Sequence, residues 1–205
     1  MRKMITVKIN GEERQYPQGA TYEDVANDYQ QEYENLIALA ARDGKIRELF
    51  KKLTRDCEVT FFTLKDDVGN KTYVRSATML FLKAVFDVCG REAAQGCRVE
   101  FAIGNGSYIS PKGKINATEE NAAKIRNRMR ELVEAKTPFL KRSYSLDNAM
   151  ELFRKEGMKD KEKLFRYRRG SFVNIYEMDG YYDYYYGYML PNAGYVKWFD
   201  VIAYE

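Results

Sequence analysis

The stretch MITVKINGEERQYPQGATYEDVA, residues 4–26, decides the fold of the first part of the chain. Its first six residues alternate and include β-branched side chains, which predicts a strand. Asn10-Gly11 is a strong hairpin-turn signal, and a short second strand is expected to end at Pro17. Thr21 is a good helix N-cap, so an amphipathic helix should follow the hairpin. The apolar stripe of that helix consists of Tyr22, Val25, Ala26 and Tyr29.

Three more strands are expected after this helix. Residues 35–41 and 45–49 flank the turn Asp43-Gly44, and residues 57–64 are rich in Val, Thr and Phe. A β-hairpin, one helix and further strands, in this order, are typical of a small β-grasp sheet with one helix packed on it. We therefore predict a β-grasp domain over residues 1–68.

The polar, turn-rich segment Asp66–Asn70 places the boundary, and residues 69–205 predict a second, α/β domain. Ser76 is the expected N-cap of an apolar, buried helix over 76–88. Strands are expected around a glycine-rich turn at 104–106. The fold class expected for the whole chain is α+β.

Two further helices and a strand-rich C-terminal region complete this prediction. Thr118 and Ser145 are expected to cap the helices, because each precedes a segment with helical periodicity. Residues from 171 onward have strand-like composition, interrupted by Gly180, Gly187 and Pro191.

The composition excludes several kinds of active site. The 205 residues contain no histidine, which rules out Ser/His and Cys/His triads and HExxH zinc sites. Cys57, Cys89 and Cys97 have no metal-binding spacing, so we expect reduced, structural thiols and no metal site. No catalytic residue is predicted in this chain.

The sequence also predicts a cytoplasmic protein without a membrane segment. The longest apolar run, at 77–88, is short and is interrupted by Lys83 and Asp87. The first eleven residues have no signal-peptide core.

Positive charge is concentrated in the C-terminal part of the chain. Positions 1–70 hold 11 of the 34 basic and 13 of the 30 acidic residues. The densest basic stretch, residues 154–169, has eight basic and three acidic residues. Such a stretch could bind a phosphate-bearing partner or form an ordinary solvated face, and both alternatives stay open. The candidate phosphate- or RNA-binding residues are Arg126, Arg130, Arg166, Arg168 and Arg169.

The segment YYDYYYGYML, residues 181–190, contains six tyrosines. Aromatic rings beside basic groups can stack on nucleic-acid bases. Alternation along a strand would instead send half of the rings into the core. The sequence alone leaves both roles open.

Two regions together resemble threonyl-tRNA synthetase. Residues 4–26 and CEVTFFTLKDDVG (57–69) resemble its N-terminal TGS domain. Four later stretches resemble its second additional domain, which carries the editing site. They are VRSATMLFLKAVF (74–86), AIGNGSYIS (102–110), NAAKIRNRMRELVEAK (121–136) and YYDYYYGYMLPNAGYVKWFDV (181–201).

The reactive positions of that editing domain are changed in this chain. The family motifs are HSxxH and DxCxxxH, and the resemblance places Arg75 and Met79 at the first two histidines. Asp183 is retained, whereas Tyr185 stands at the cysteine and Met189 at the last histidine. These side chains cannot replace imidazoles and a thiolate as metal ligands or proton shuttles. The resemblance therefore implies a degenerate site, which the tyrosines plug or reshape.

These departures fit a second resemblance, to the N-terminal region of bacterial uridine kinase family proteins. In that family the same two domains, with degenerate sites, precede a P-loop kinase domain, and the region ends in a segment like GYMLPNAGYVKWFDV (187–201). The resemblance implies a non-catalytic accessory region that binds a small-molecule regulator or nucleic acid. Its own C-terminal kinase domain, with ATP and Mg²⁺ as cofactors, would lie beyond residue 205.

Two alternatives remain from the sequence. The chain could be a stand-alone RNA- or tRNA-binding module, or an aminoacyl-tRNA deacylase that uses Asp183 as its only inherited polar group.

Overall fold

The computed structural model describes residues 3–104, 106–168 and 170–204. These residues divide into two compact units. The first holds the chain up to Ser76 together with Tyr186–Pro191, and the second holds Ala77–Tyr185 together with the residues from Asn192 onward. The predicted boundary between residues 68 and 69 stays a prediction.

The first unit contains a five-stranded mixed sheet in the order β2-β1-β5-β3-β4. Only β1 and β5 pair in parallel, and the other neighbours are antiparallel. This order, with one helix between β2 and β3, is the predicted β-grasp arrangement. The elements are β1 Met4–Ile9, β2 Glu12–Pro17, α1 Tyr22–Tyr29, β3 Ile37–Arg42, β4 Lys45–Glu48 and β5 Cys57–Thr63.

Local sequence explains how this unit is built. Asn10 and Gly11 have φ angles of 53° and 89°, which a tight two-residue hairpin turn requires. The Thr21 hydroxyl accepts a hydrogen bond from the Asp24 N–H, and the Asp24 carboxylate accepts one from the Thr21 N–H. This capping box satisfies two amides at the start of α1, so the predicted cap is confirmed. The core includes Ile5, Val7, Ile9, Val25, Leu39 and Val59.

The long helix α2, Asp67–Cys89, begins nine residues earlier than the sequence predicted. Ser76 is not its cap but is buried within it, and its hydroxyl donates to the Thr72 carbonyl at 2.8 Å. Asp66 stands before the first turn, where its carboxylate accepts the Thr63 N–H and its carbonyl accepts the Asn70 N–H. Gly69 permits this start, because a Cβ there would lie 2.0 Å from the Thr63 carbonyl oxygen.

The second unit contains helices, a hairpin and a three-stranded antiparallel sheet in the order β10-β9-β8. The hairpin is formed by β6 and β7, as predicted. Thr118 and Ser145 cap α4 and α5 through their hydroxyls, also as predicted. The elements are α3 Arg91–Gly96, β6 Arg98–Ile103, β7 Gly106–Ser110, α4 Glu119–Glu134, β8 Leu140–Ser145, α5 Leu146–Lys155, α6 Lys159–Arg166, β9 Phe172–Met178 and β10 Tyr181–Asp183.

The strand prediction for the C-terminal region is wrong beyond residue 183. Between residues 184 and 204 the chain forms no named strand, and its one regular element is a short 3-10 turn at Ala193–Tyr195. Gly187 has a φ of +127°, which breaks an extended run, and Pro191 lacks the N–H that a sheet ladder needs. Among the described helices, none is both long and apolar enough to cross a membrane.

Candidate functional site

The five positions that the resemblance assigns to an editing site fall in both units. In the first unit, the guanidinium of Arg75 packs so closely on Gly187 that a Cβ at Gly187 would lie 2.6 Å from the Arg75 Cζ. Met189 is fully buried, and its sulfur lies 3.9 Å from the Ser76 hydroxyl. The backbone N–H of Met189 donates to the buried Glu48 carboxylate at 3.2 Å. Arg75 and Met189 therefore serve as packing groups in this unit.

In the second unit, the retained Asp183 lies at the end of β10 and is only 4% exposed. Its carboxylate accepts the Tyr184 N–H at 2.6 Å and the Tyr181 hydroxyl at 3.3 Å. The ammonium of Lys161, from α6, forms an ion pair with it. Burial lowers the pKa of Lys161 to about 8, and the Asp160 carboxylate opposes this shift. Every oxygen of Asp183 is thus engaged within the protein.

Tyr185 and Met79 occupy the remaining degenerate positions in the same unit. Met79 is fully buried in α2. The Tyr185 hydroxyl is enclosed and has no hydrogen-bond partner among the described residues. Burial, and to a lesser degree Tyr181, raises the pKa of Tyr185 well above its ordinary value. A phenol in this state does not ionise near neutral pH and cannot act as a nucleophile or a metal ligand.

The described part of the chain also lacks a group of side chains that could bind a metal ion. No cluster of three or more histidine, cysteine, aspartate or glutamate residues in that part could hold a metal ion. Burial raises the pKa of all three cysteine thiols, to about 11 for Cys97, so none is an activated thiolate.

The structure separates the candidate arginines into different settings. On α4, the Arg126 guanidinium bonds to Asp200 at 2.9 Å and to Glu119 at 3.1 Å. Both carboxylates compete with any phosphate, so Arg126 is a poor anchor for RNA. Arg130 is exposed on the same helix. Arg169 lies outside the described residues.

Arg166 and Arg168 lie in an exposed basic and aromatic patch. Arg166 pairs only loosely with Glu162, at 4.0 Å. Arg168 donates to the Tyr184 hydroxyl at 2.7 Å and lies 5.4 Å from the Tyr184 ring centroid. We name the exposed residues Arg166, Tyr167, Arg168 and Phe172 the arginine–tyrosine patch.

The aromatic members of this patch are unusually open to solvent. Tyr167 is 84% exposed and Phe172 is 67% exposed. Exposed rings beside arginines supply both a surface for base stacking and charge for phosphates. The patch lies over a packed pair of aromatic rings. The Phe165 ring is buried beneath the patch and stacks on Phe153 with 5.3 Å between ring centroids.

Sequence reasoning missed Lys161 and the aromatic members Tyr167 and Phe172. The basic stretch offered no reason to separate Lys161 from its neighbours, although its position in α6 places it on the buried side. The sequence Arg-Tyr-Arg at 166–168 was the available signal for the patch.

The fold and the comparisons with known proteins define an α+β, threonyl-tRNA synthetase-like region. Threonine–tRNA ligase of Thermotoga neapolitana is 28% identical over 98% of this chain and 31% of its own length. The Thermotoga maritima enzyme is 28% identical over 97% of the chain and 30% of its own length. The Porphyromonas gingivalis enzyme is 25% identical over 92% and 29%. The chain thus spans about 30% of the length of the curated relatives it matches. No protein-family model matches the chain.

Proposed function

We propose that this chain is an RNA-binding module related to threonyl-tRNA synthetase, with no hydrolytic activity of its own. The observation that carries the proposal is the arginine–tyrosine patch, which combines exposed rings with exposed guanidinium groups. Similarity to threonine–tRNA ligases over nearly the whole chain supports tRNA as the RNA. The inert side chains at the degenerate positions support binding without chemistry.

The patch would bind unpaired nucleotides. A base stacks on Tyr167, whose ring makes almost no contact with the rest of the protein, and Arg166 neutralises an adjacent phosphate. Unpaired bases occur at the ends and loops of tRNA, and their faces are free for stacking.

Fluorescence anisotropy with a labelled, unpaired RNA oligonucleotide tests the proposal. Stacking on one ring contributes about 1–3 kcal/mol, so Tyr167→Ala should weaken binding by roughly 5- to 150-fold. Arg166→Gln should weaken binding and reduce the slope of log affinity against log salt by about 0.7, the value for one contact to a single strand.

The matched control is Tyr186→Ala. Tyr186 is 86% exposed, close to the 84% of Tyr167, but it is not flanked by arginines in the sequence. Its replacement should leave the affinity within about twofold. Equal losses for the two tyrosine variants, or RNA binding that does not change with salt, would contradict the proposed surface.

The loss of the reactive side chains also favours a second candidate, an accessory region of a nucleoside kinase. In that case the chain would assist a kinase domain that uses ATP and Mg²⁺. A reading frame that continues into a GxxxxGK[ST] motif within about 100 residues, one typical further domain, would support this candidate. A reading frame that continues into synthetase domains, or that stops, would refute it.

A further inference from the structure

A cavity of about 470 Å³ in the first unit is lined by positive side chains. This volume is within the usual range for small-ligand sites. Of the four cations, Arg42 lies in β3 and Arg47 lies in β4. Lys51 and Lys52 lie in the loop after β4. The complete lining is Tyr22, Arg42, Arg47, Lys51, Lys52 and Thr54.

None of these four cations forms a salt bridge in the described part of the chain. Among the residues that the structure describes, none of the four has a carboxylate within 4 Å, although many other basic residues of the chain form such pairs. Arg42 donates to the Thr54 hydroxyl and Arg47 to the Ile46 carbonyl, both neutral acceptors. Four clustered positive charges repel one another, so an anion in the cavity would be stabilised by all of them.

A buried tyrosine also lines this cavity. Tyr22 is 1% exposed, and its hydroxyl makes no hydrogen bond within the described residues. Burial raises the pKa of Tyr22, with a smaller contribution from Cys57, and the nearby Arg42 and Arg47 oppose this shift. The hydroxyl is therefore protonated at neutral pH and is a hydrogen-bond donor.

The cavity wall is held in place by backbone hydrogen bonds. The Tyr22 N–H donates to the Lys51 carbonyl at 3.0 Å, and the Leu53 N–H donates to the Ala20 carbonyl at 2.7 Å. These bonds hold the backbone of the lysine loop against the start of α1 before any ligand arrives.

We propose that this cavity is a binding site for a multiply charged phosphate group. The group could belong to a free nucleotide or to an RNA backbone, since both present the same oxygens. The site is independent of the arginine–tyrosine patch. If the chain binds polyphosphate but no RNA, the result supports this site and contradicts the proposed function.

Isothermal titration calorimetry with inorganic tripolyphosphate at 0.15 M salt tests the proposal. The wild-type chain should bind, and Arg47→Gln and Lys51→Gln should each weaken binding at least tenfold, because each removes a charge-assisted hydrogen bond. Tyr22→Phe should also weaken binding, and it keeps the ring that packs in the core. Lys8→Gln is the matched control, since Lys8 is an exposed cation of the same sheet, and it should bind as the wild type does.

Competition then distinguishes the two sources of phosphate. ATP that displaces tripolyphosphate where an RNA oligonucleotide does not identifies a nucleotide site, and the reverse identifies a backbone site. Absence of tripolyphosphate binding at 1 mM, or equal binding by the Arg47, Lys51 and Lys8 variants, would overturn the proposal. Circular dichroism of each variant shows whether it is folded.

Discussion

The ion pair between Lys161 and Asp183 predicts that Asp183 stabilises the fold. If Asp183 has a structural role, Asp183→Asn should destabilise the fold. The variant keeps the size of the side chain but removes the negative charge that Lys161 contacts. It also weakens the acceptors for the Tyr184 N–H and the Tyr181 hydroxyl.

The magnitude follows from the burial of both partners. Removing one member of a fully buried pair costs about 3–5 kcal/mol, because the other charge is left without a partner. The Lys161 side chain is 24% exposed and the Asp183 side chain is 5% exposed, so water relieves part of this cost. We expect a loss of about 2–3 kcal/mol in the free energy of unfolding at pH 7.

The stability of the wild type should itself rise with pH in the alkaline range. Burial lowers the pKa of Lys161 to about 8, below the unfolded value of about 10.4. Between these two values the unfolded chain binds more protons than the folded wild type, so the stability of the wild type should increase with pH. Below about pH 8 the amine is charged in both states, and the cost of burying its charge remains in full.

Urea unfolding followed by circular dichroism at pH 7 and pH 9.5 measures both effects. The double variant Lys161→Met, Asp183→Asn is the control, because it removes the unpaired charge and keeps an acceptor at position 183, so it should recover most of the lost stability. A stable Asp183→Asn variant, or a double variant no better than the single one, would refute the structural role.

Three other changes test separate parts of the structure. Tyr22→Phe removes a buried hydroxyl that has no hydrogen-bond partner among residues 3–104, 106–168 and 170–204, so it should raise the free energy of unfolding by about 1 kcal/mol in urea titrations. Unchanged or reduced stability would contradict this. Gly69→Ala would place a Cβ 2.0 Å from the Thr63 carbonyl oxygen and should cost about 2–3 kcal/mol, whereas a neutral result would mean that α2 starts elsewhere. Burial raises the pKa of Cys97 from 9.0 to about 11, so its thiolate at pH 8 should be about 100-fold scarcer. Mass spectrometry should show slow alkylation by iodoacetamide in the folded protein and rapid alkylation in urea, and equal rates would be inconsistent with burial.

The first unit was predictable because its signals are local. Asn10-Gly11 defines a turn, Thr21 satisfies helix amides, and period-2 alternation defines the buried face of each strand. The start of α2 was not predictable in this way. Gly69 looks like a helix breaker in the sequence, but in the structure it allows close approach to Thr63, a contact that no local pattern reveals.

The candidate sites were predictable only in part. The motif resemblance identified Asp183, but its partner Lys161 is distant in sequence and was hidden among other basic residues. Arg126 looked available on its helix, yet it is engaged by Asp200, 74 positions away. Long-range pairing of charges depends on the tertiary fold, so sequence alone identifies which residues are charged but not which of them are free.

Both parts of the proposed function, tRNA binding and the absence of hydrolysis, can be measured in one sample. The most direct measurement incubates the chain with a mischarged tRNA whose amino acid is radiolabelled, and follows complex formation and release of the amino acid in the same sample. We predict a complex that weakens as salt is raised, and release no faster than in buffer alone. Accelerated release, or no complex at low salt, would contradict the account.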